Sequence, residues 1–396
     1  MLFSKPKKAL GIDLGNHSVK VLQLSKQGRK IYIEEAGYAE IDNELLGSDP
    51  VKAQINALLT ALTGIIPKQC CVVSALPGNT TVVRYPKITL KTNETLSQAV
   101  QREAAQYVPF DLNEVFLSWD VIAKEPGEEQ IQILLVAAKK DAISSRLGIF
   151  QACNIQCSVF DIDSIAILNA IERSRLLHLE ETVAIFDIGY SSSSIHFVRG
   201  MRSVFIRDLT WGTKDILDAI MKERRCDLRQ AEKDLILSSK EVKTEHPEAV
   251  EIESPEVVET EEVITAEPVS PLGPLDEEFE LERSHNEIST EVKSVHDIIA
   301  SPISRMIGEV RKSFEFFEHQ LYEKPVQRII LCGGVSSYPL IGETLVEEFN
   351  VDRVDVAELI TNEVILSNSK SLDVFKENSA KFAVAFGLAV RGLSEI

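Results

Sequence analysis

Residues 9–25 read Ala-Leu-Gly-Ile-Asp-Leu-Gly-Asn-His-Ser-Val-Lys-Val-Leu-Gln-Leu-Ser, and this stretch decides the fold. Its apolar start predicts a short buried strand, and the alternation after Ser18 predicts a return strand. The polar turn between them, residues 13–16, contains Gly15. Because glycine allows close approach to the backbone, the N–H groups of this turn could hold a phosphate. A plain hairpin without a ligand fits the same pattern.

A second copy of the pattern occupies residues 182–199, Thr-Val-Ala-Ile-Phe-Asp-Ile-Gly-Tyr-Ser-Ser-Ser-Ser-Ile-His-Phe-Val-Arg. Asp187 corresponds to Asp13, and Gly189 corresponds to Gly15. Two apolar strands that each end in an aspartate and a glycine turn predict two related lobes that face each other.

A third glycine turn lies near the end of the chain, where residues 329–340 read Ile-Ile-Leu-Cys-Gly-Gly-Val-Ser-Ser-Tyr-Pro-Leu. The pattern predicts a strand, a turn at Gly333 and Gly334, and a helix that begins near Ser337 with free N–H groups. The three elements in this order resemble the actin-like ATPase superfamily. In that superfamily two phosphate loops are followed by an adenosine-binding Gly-Gly loop.

Residues 70–138 predict a small α+β module. The periodicity indicates a helix over 92–107 and strands over 70–74, 82–88, 115–122 and 131–137. Within the module, residues 102–115 read Arg-Glu-Ala-Ala-Gln-Tyr-Val-Pro-Phe-Asp-Leu-Asn-Glu-Val. This segment resembles the inserted subdomain of the type IV pilus assembly protein PilM family, in which a helix ends in Glu-x-Tyr-Ile/Val-Pro-Phe.

The resemblance implies an α/β, two-lobed actin-like ATPase fold with two related βββαβα lobes, an inserted α+β subdomain and a disordered acidic insertion. The implied first lobe is 1–180 plus 379–396 and includes the inserted subdomain at about 70–152. The implied second lobe is 181–378, with a smaller subdomain at about 214–318 that includes the acidic insertion.

Charge is concentrated in one segment. Of the net charge of −19, residues 241–290 carry −14, from sixteen acidic and two basic residues. Such a segment cannot bury enough apolar surface to offset chain entropy, so it predicts disorder, as a spacer or a docking segment. The remaining charge of −5 indicates no nucleic-acid groove. Six scattered cysteines indicate reduced thiols rather than a zinc site, as in a cytoplasmic protein.

The superfamily resemblance also implies the site and its cofactors, ATP and Mg²⁺. Asp13 and Asp187 would hold the metal through water, and Asp163 would be the catalytic residue that positions the hydrolytic water. The remaining implied nucleotide-binding residues are Gly15, Asn16, His17, Lys20, Gly189, Ser191, Ser192, Gly212, Glu232, Gly333, Gly334 and Ser336.

The sequence departs from the superfamily pattern at three places. Asp163 is shorter than the usual glutamate, and an N-cap for residues 164–171 is the alternative role for this side chain. Leu235 and Ile236 stand where a lysine near the adenosine is common. His17 is bulkier than the small residues usual there.

The PilM resemblance implies binding of the N-terminal cytoplasmic tail of a bitopic, PilN-like inner-membrane protein, with pilus platform and motor components as further partners. The resemblance implies a groove between the first lobe and the inserted subdomain. Tyr107 and Phe110 are candidate groove residues, and packing in the core is the alternative. The implied protein is a cytoplasmic scaffold of the type IV pilus or the related type II secretion platform, peripheral to the inner membrane. Nucleotide would act as its conformational switch, and it would be at most a slow ATPase. Other interpretations are a degenerate scaffold without nucleotide, a sugar or carboxylate kinase, and an actin-like cell-division protein.

Overall fold

The computed structural model describes residues 7–76, 78–124, 129–245 and 293–395. The strands are β1 (Lys7–Leu14), β2 (Ser18–Gln27), β3 (Lys30–Glu40), β4 (Cys71–Leu76), β5 (Thr81–Arg84), β6 (Lys87–Thr89), β7 (Val115–Ala123), β8 (Gln130–Lys139), β9 (Val159–Ile162), β10 (Thr182–Ile188), β11 (Ser193–Arg199), β12 (Arg202–Leu209), β13 (Arg328–Gly333), β14 (Arg353–Val356) and β15 (Val364–Leu366). The helices are α1 (Asn43–Ser48), α2 (Pro50–Ala61), α3 (Leu96–Tyr107), α4 (Lys140–Ala152), α5 (Asp163–Arg173), α6 (Thr213–Arg224), α7 (Leu228–Glu245), α8 (Val295–Glu315), α9 (Pro339–Phe349), α10 (Asp373–Glu377) and α11 (Ala383–Ser394).

Two sheets have the same internal order. The first contains β3-β2-β1-β4-β9, and the second contains β12-β11-β10-β13-β14. In both sheets an antiparallel hairpin is followed by parallel strands. The register is equivalent too, because Asp13 lies opposite Lys20 and Asp187 lies opposite Ser194. The prediction of two related lobes is therefore confirmed.

Two helices cross where the lobes meet. α5 connects the first sheet to the second, and α11 packs against it. A Cβ on Gly387 of α11 would overlap the carbonyl oxygen of Ala166 in α5, so the two backbones approach closely. One core joins this crossing to both sheets, with Leu22 from the first and Ile330 from the second.

The inserted subdomain is smaller than predicted. Its own sheet consists of β5, β6 and β7 around β8, with α3 packed on one face. The predicted bounds of 70–152 are too wide, because β4 pairs with β1 in the first sheet and α4 buries Ile149 and Phe150 in the first lobe's core. The single strand predicted over 82–88 is two strands, interrupted before Pro86, which has no N–H to donate.

Other boundaries also move. α3 begins at Leu96 rather than residue 92, because Thr95 and Gln98 form a reciprocal capping box. The second lobe ends before residue 378, since β15 pairs with β3 of the first sheet. α7 continues to Glu245, so the first five residues of the predicted acidic insertion are helical. Its remainder, 246–290, lies outside the described residues.

Candidate functional site

A cavity of about 1100 Å³ lies between the two lobes. The three predicted loops converge on it. Its lining includes Asp13, Gly15, Asn16, His17, Lys20, Asp163, Asp187, Gly189, Ser191, Ser192, Glu232, Gly333 and Gly334. Residues that are far apart in sequence are therefore brought to one cleft.

Gly212 and Ser336 are behind the loops rather than in the cavity lining. A Cβ on Gly212 would lie 2.8 Å from the carbonyl carbon of Tyr190, so this glycine lets α6 begin against the second loop. The Ser336 hydroxyl donates to the carbonyl oxygen of Gly333 at 2.9 Å. Both residues therefore shape the loops from outside the cavity.

The loop glycines are required by the backbone. A Cβ on Gly15 would lie 2.9 Å from the carbonyl oxygen of Ser18, and one on Gly189 would overlap the Ser192 carbonyl. Gly333 has φ +96° and would place a Cβ against the backbone of Ile188. A side chain at any of these three positions would displace neighbouring backbone, so the tight turns that line the cleft depend on glycine.

Three carboxyl groups gather at one end of the cleft. Burial, followed by the nearby Asp13 charge, raises the pKa of Asp187 to about 6. Burial also raises the pKa of Asp163 well above its usual value, and the charges of Asp13 and Asp187 add to the effect. Acids that repel one another in this way bind a cation favourably. Asp163 is the first residue of α5 and Ile162 is its N-cap residue, so Asp163 does not hold the N-cap position that the alternative role requires.

Two cations face these acids. Lys20 Nζ lies 2.9 Å from Asp13 Oδ2. Arg146 of α4 also lines the cleft, and its Nη2 donates to the carbonyl oxygen of Leu14 at 2.9 Å. Sequence reasoning missed Arg146. The available signal was its spacing, because Arg146, Ile149 and Phe150 share one helical face, and a cation among buried apolar residues is unusual.

The first two loops touch each other across the cleft. Asn16 Nδ2 donates to Ser191 Oγ at 2.6 Å, and the rings of His17 and Tyr190 stack with centroids 4.5 Å apart. His17 Nε2 also lies 3.3 Å from Glu232 Oε1 on α7. His17 therefore contacts the second lobe through both its ring and its Nε2 atom.

A buried polar chain leads away from the cleft. His196 Nδ1 lies 3.2 Å from the Ser164 carbonyl, Nε2 lies 2.7 Å from Ser203 Oγ, and that hydroxyl lies 2.7 Å from Tyr85 OH. A carbonyl only accepts, so Nδ1 carries the hydrogen and Nε2 accepts from Ser203, which in turn accepts from Tyr85. Burial lowers the pKa of His196 to about 4, which keeps the ring neutral. The chain links α5, beside Asp163, to the inserted subdomain.

The site fits a nucleotide with Mg²⁺ in two respects. Buried polar atoms of the lining, Ser193 Oγ, Arg146 Nη1 and His17 Nδ1, have no hydrogen-bond partner among the described residues. Such atoms indicate a missing polar ligand. No group of three or more His, Cys, Asp or Glu side chains within the described ranges could hold a metal directly. Mg²⁺ needs only one or two carboxylates beside water and phosphate, so Asp13 and Asp187 suffice.

The two residues predicted to line a partner groove, Tyr107 and Phe110, lie outside the cleft between the lobes. Tyr107 lines a second cavity of about 600 Å³ between the inserted subdomain and β12 of the second lobe. Phe110 packs against the subdomain core, with Lys139 Nζ 4.3 Å from its ring centroid. The groove was expected between the inserted subdomain and the first lobe, whereas the cavity that holds Tyr107 borders the second lobe.

The family model for type IV pilus assembly protein PilM matches residues 11–250 and 263–393. The chain belongs to the PilM family. A solved structure described as a PilM-PilN type IV pilus biogenesis complex is similar at a TM-score of 0.70 with 21% identity, over 97% of this chain and 98% of that one. This PilM neighbour confirms the two-lobed actin-like fold.

The ethanolamine utilization protein EutJ from Carboxydothermus hydrogenoformans also matches, at a TM-score of 0.48 and 9% identity, over 98% of this chain and 90% of that one.

The family model for PilM does not match residues 251–262, which lie in the acidic segment. No helix among the described residues is long and apolar enough to cross a bilayer.

Proposed function

We propose that this PilM-family chain binds ATP with Mg²⁺ between its lobes and serves as a nucleotide-responsive scaffold of type IV pilus assembly. The convergence of the three loops on one cleft, with buried donors left without partners, supports nucleotide binding most strongly. Asp13 and Asp187 would hold the metal through water. Bound Mg²⁺ would neutralise phosphate charge, and the loop N–H groups would fix the phosphates.

The two ends of the cleft have different roles in this proposal. Gly333 and Gly334 would lie against the adenosine, where Leu235 and Ile236 also line the cavity and offer apolar contact in place of a lysine. Asp163 would hold a water at the phosphate end. The protein would act as a switch first, and any hydrolysis would be slow.

The proposed partner is the N-terminal cytoplasmic tail of a PilN-like bitopic inner-membrane protein, which would place the scaffold on the cytoplasmic side of that membrane. Support comes from family membership and from the fold shared with the PilM-PilN structure. The chain from Ser164 through His196 and Ser203 to Tyr85 supplies a route from the nucleotide to the inserted subdomain.

We expect Mg-ATP to change the affinity of a labelled partner-tail peptide, and the Tyr85→Phe variant to reduce that change. Removing the Tyr85 hydroxyl takes one donor from the buried chain while the ring stays in place. Couplings of this kind are typically about 5- to 150-fold. Fluorescence anisotropy with and without Mg-ATP measures the ratio of the two affinities, which should approach one in the variant.

Tyr322→Phe is the matched control, because Tyr322 is 89% exposed and should leave the ratio unchanged. If the wild-type chain binds the peptide equally with and without Mg-ATP, it is a scaffold without a nucleotide switch. If Tyr85→Phe keeps the wild-type ratio, the coupling runs through another contact.

A further inference from the structure

Arg146 is a buried cation with an unused donor. Its side chain extends from α4 and the residue is 8% exposed. One guanidinium nitrogen, Nη2, donates to the Leu14 carbonyl, while Nη1 is enclosed and has no hydrogen-bond partner among the described residues. An enclosed guanidinium N–H without an acceptor costs free energy, so a structural role alone does not account for it.

The other cation at this end of the cleft is already engaged. Lys20 Nζ forms a 2.9 Å ion pair with Asp13, and both side chains are 14% exposed. Within the described part of the chain, Arg146 has no carboxylate at ion-pair distance, although Asp13 and Asp163 are close enough to favour its charge. Of these two cations, Arg146 is the one with an enclosed donor that has no partner among the described residues.

The position of Arg146 indicates which group of a bound nucleotide it would contact. The Arg146 guanidinium is fixed to Leu14, the residue immediately before the turn at Gly15, and it is near enough to Asp163 for that carboxylate to favour its charge. The Gly333–Gly334 turn belongs to the second lobe and forms another wall of the cavity. A nucleotide whose adenosine lies at that turn would direct its phosphates toward Asp163 and Arg146.

We propose that Arg146 binds the terminal phosphate of a nucleoside triphosphate and makes the cleft prefer the triphosphate over the diphosphate. A guanidinium offers a planar set of N–H donors that matches phosphate oxygens. Nη1 would acquire the acceptor that it lacks only when the terminal phosphate is present. This inference rests on the proposed nucleotide binding and assigns the selectivity of that same site.

The test compares the affinities of a non-hydrolysable ATP analogue and of ADP, each with Mg²⁺, by calorimetry on the full chain. In the Arg146→Gln variant we expect affinity for the triphosphate to fall by about tenfold or more, while affinity for ADP changes by less than about threefold. Arg146→Lys should recover part of the triphosphate affinity, because lysine keeps the charge but loses the planar donor set.

The possible outcomes distinguish failure of the Arg146 assignment from failure of the proposed nucleotide binding. Equal weakening of ADP and of the triphosphate analogue in a folded Arg146→Gln chain would overturn the assignment and leave nucleotide binding intact. A wild-type chain that is folded and binds neither nucleotide would overturn both. Thermal unfolding without nucleotide checks folding. If Arg146→Gln does not fold, the triphosphate-to-ADP affinity ratio of Arg146→Lys decides, and an unchanged ratio overturns the assignment.

Discussion

We expect the Asp187→Asn variant to be more stable than the wild-type chain at pH 7.5 in EDTA, and to lose Mg²⁺-dependent nucleotide binding. Burial and Asp13 raise the pKa of Asp187 to about 6 from its ordinary 3.8. Ionised Asp187 therefore costs the folded, metal-free protein roughly 3 kcal/mol at neutral pH. Asparagine removes that cost together with the charge that the metal needs.

The direction of the Asp187 pKa shift determines how the stability gain of Asp187→Asn depends on pH. Because the pKa is raised in the folded state, the cost is absent below the ordinary pKa of 3.8 and complete above about pH 6. The stability gain of Asp187→Asn should accordingly shrink as the pH falls from 7.5 to 4. Urea unfolding monitored by circular dichroism at several pH values measures it.

Two further measurements show whether the effect belongs to Asp187 and to metal binding. Asp352→Asn changes an exposed aspartate and should leave stability nearly unchanged. Mg-ATP should raise the unfolding midpoint of the wild-type chain and not that of Asp187→Asn. A variant that is destabilised at pH 7.5 and still gains stability from Mg-ATP would refute this description of the acidic group.

The Gly387→Ala substitution should destabilise the protein by about 1–3 kcal/mol, because the new Cβ overlaps the Ala166 carbonyl where α11 crosses α5. A shift of either helix would disturb the core that both lobes share. The measurement is the free energy of unfolding from urea titration.

Gly308→Ala makes the same chemical change in an exposed position of α8, where a Cβ would meet nothing within 4 Å. It should stabilise the protein by about 0.5–1 kcal/mol, since alanine favours helix over glycine. Opposite signs for the two variants are the expected result. A stabilising Gly387→Ala would show that the two helices do not cross at close range.

The sequence predicted the parts of the fold that local pattern controls. Asp13 and Asp187 each end an apolar strand before a glycine turn, and that repeat foretold two sheets of equivalent order. Boundaries were less predictable. β15 joins the first sheet through long-range pairing with β3, which no local pattern reveals.

The candidate site also has parts that the sequence predicted and parts that it did not. Its loops were predictable because each is a contiguous motif, whereas Arg146 enters the cleft from a helix whose local pattern says nothing about Leu14. The His17–Tyr190 stack and the chain through His196 join residues from different elements. Such contacts follow from how the lobes pack, so they became visible only in three dimensions.

The most direct test of the account is calorimetric titration of Mg-ATP into the full chain and into Asp13→Asn. We predict binding at one site in the wild-type chain. Asp13→Asn should weaken that binding by about tenfold or more while remaining folded by circular dichroism. A folded wild-type chain that takes up no heat-detectable Mg-ATP, under conditions where it binds the partner-tail peptide, would contradict the nucleotide-binding cleft and leave a scaffold alone.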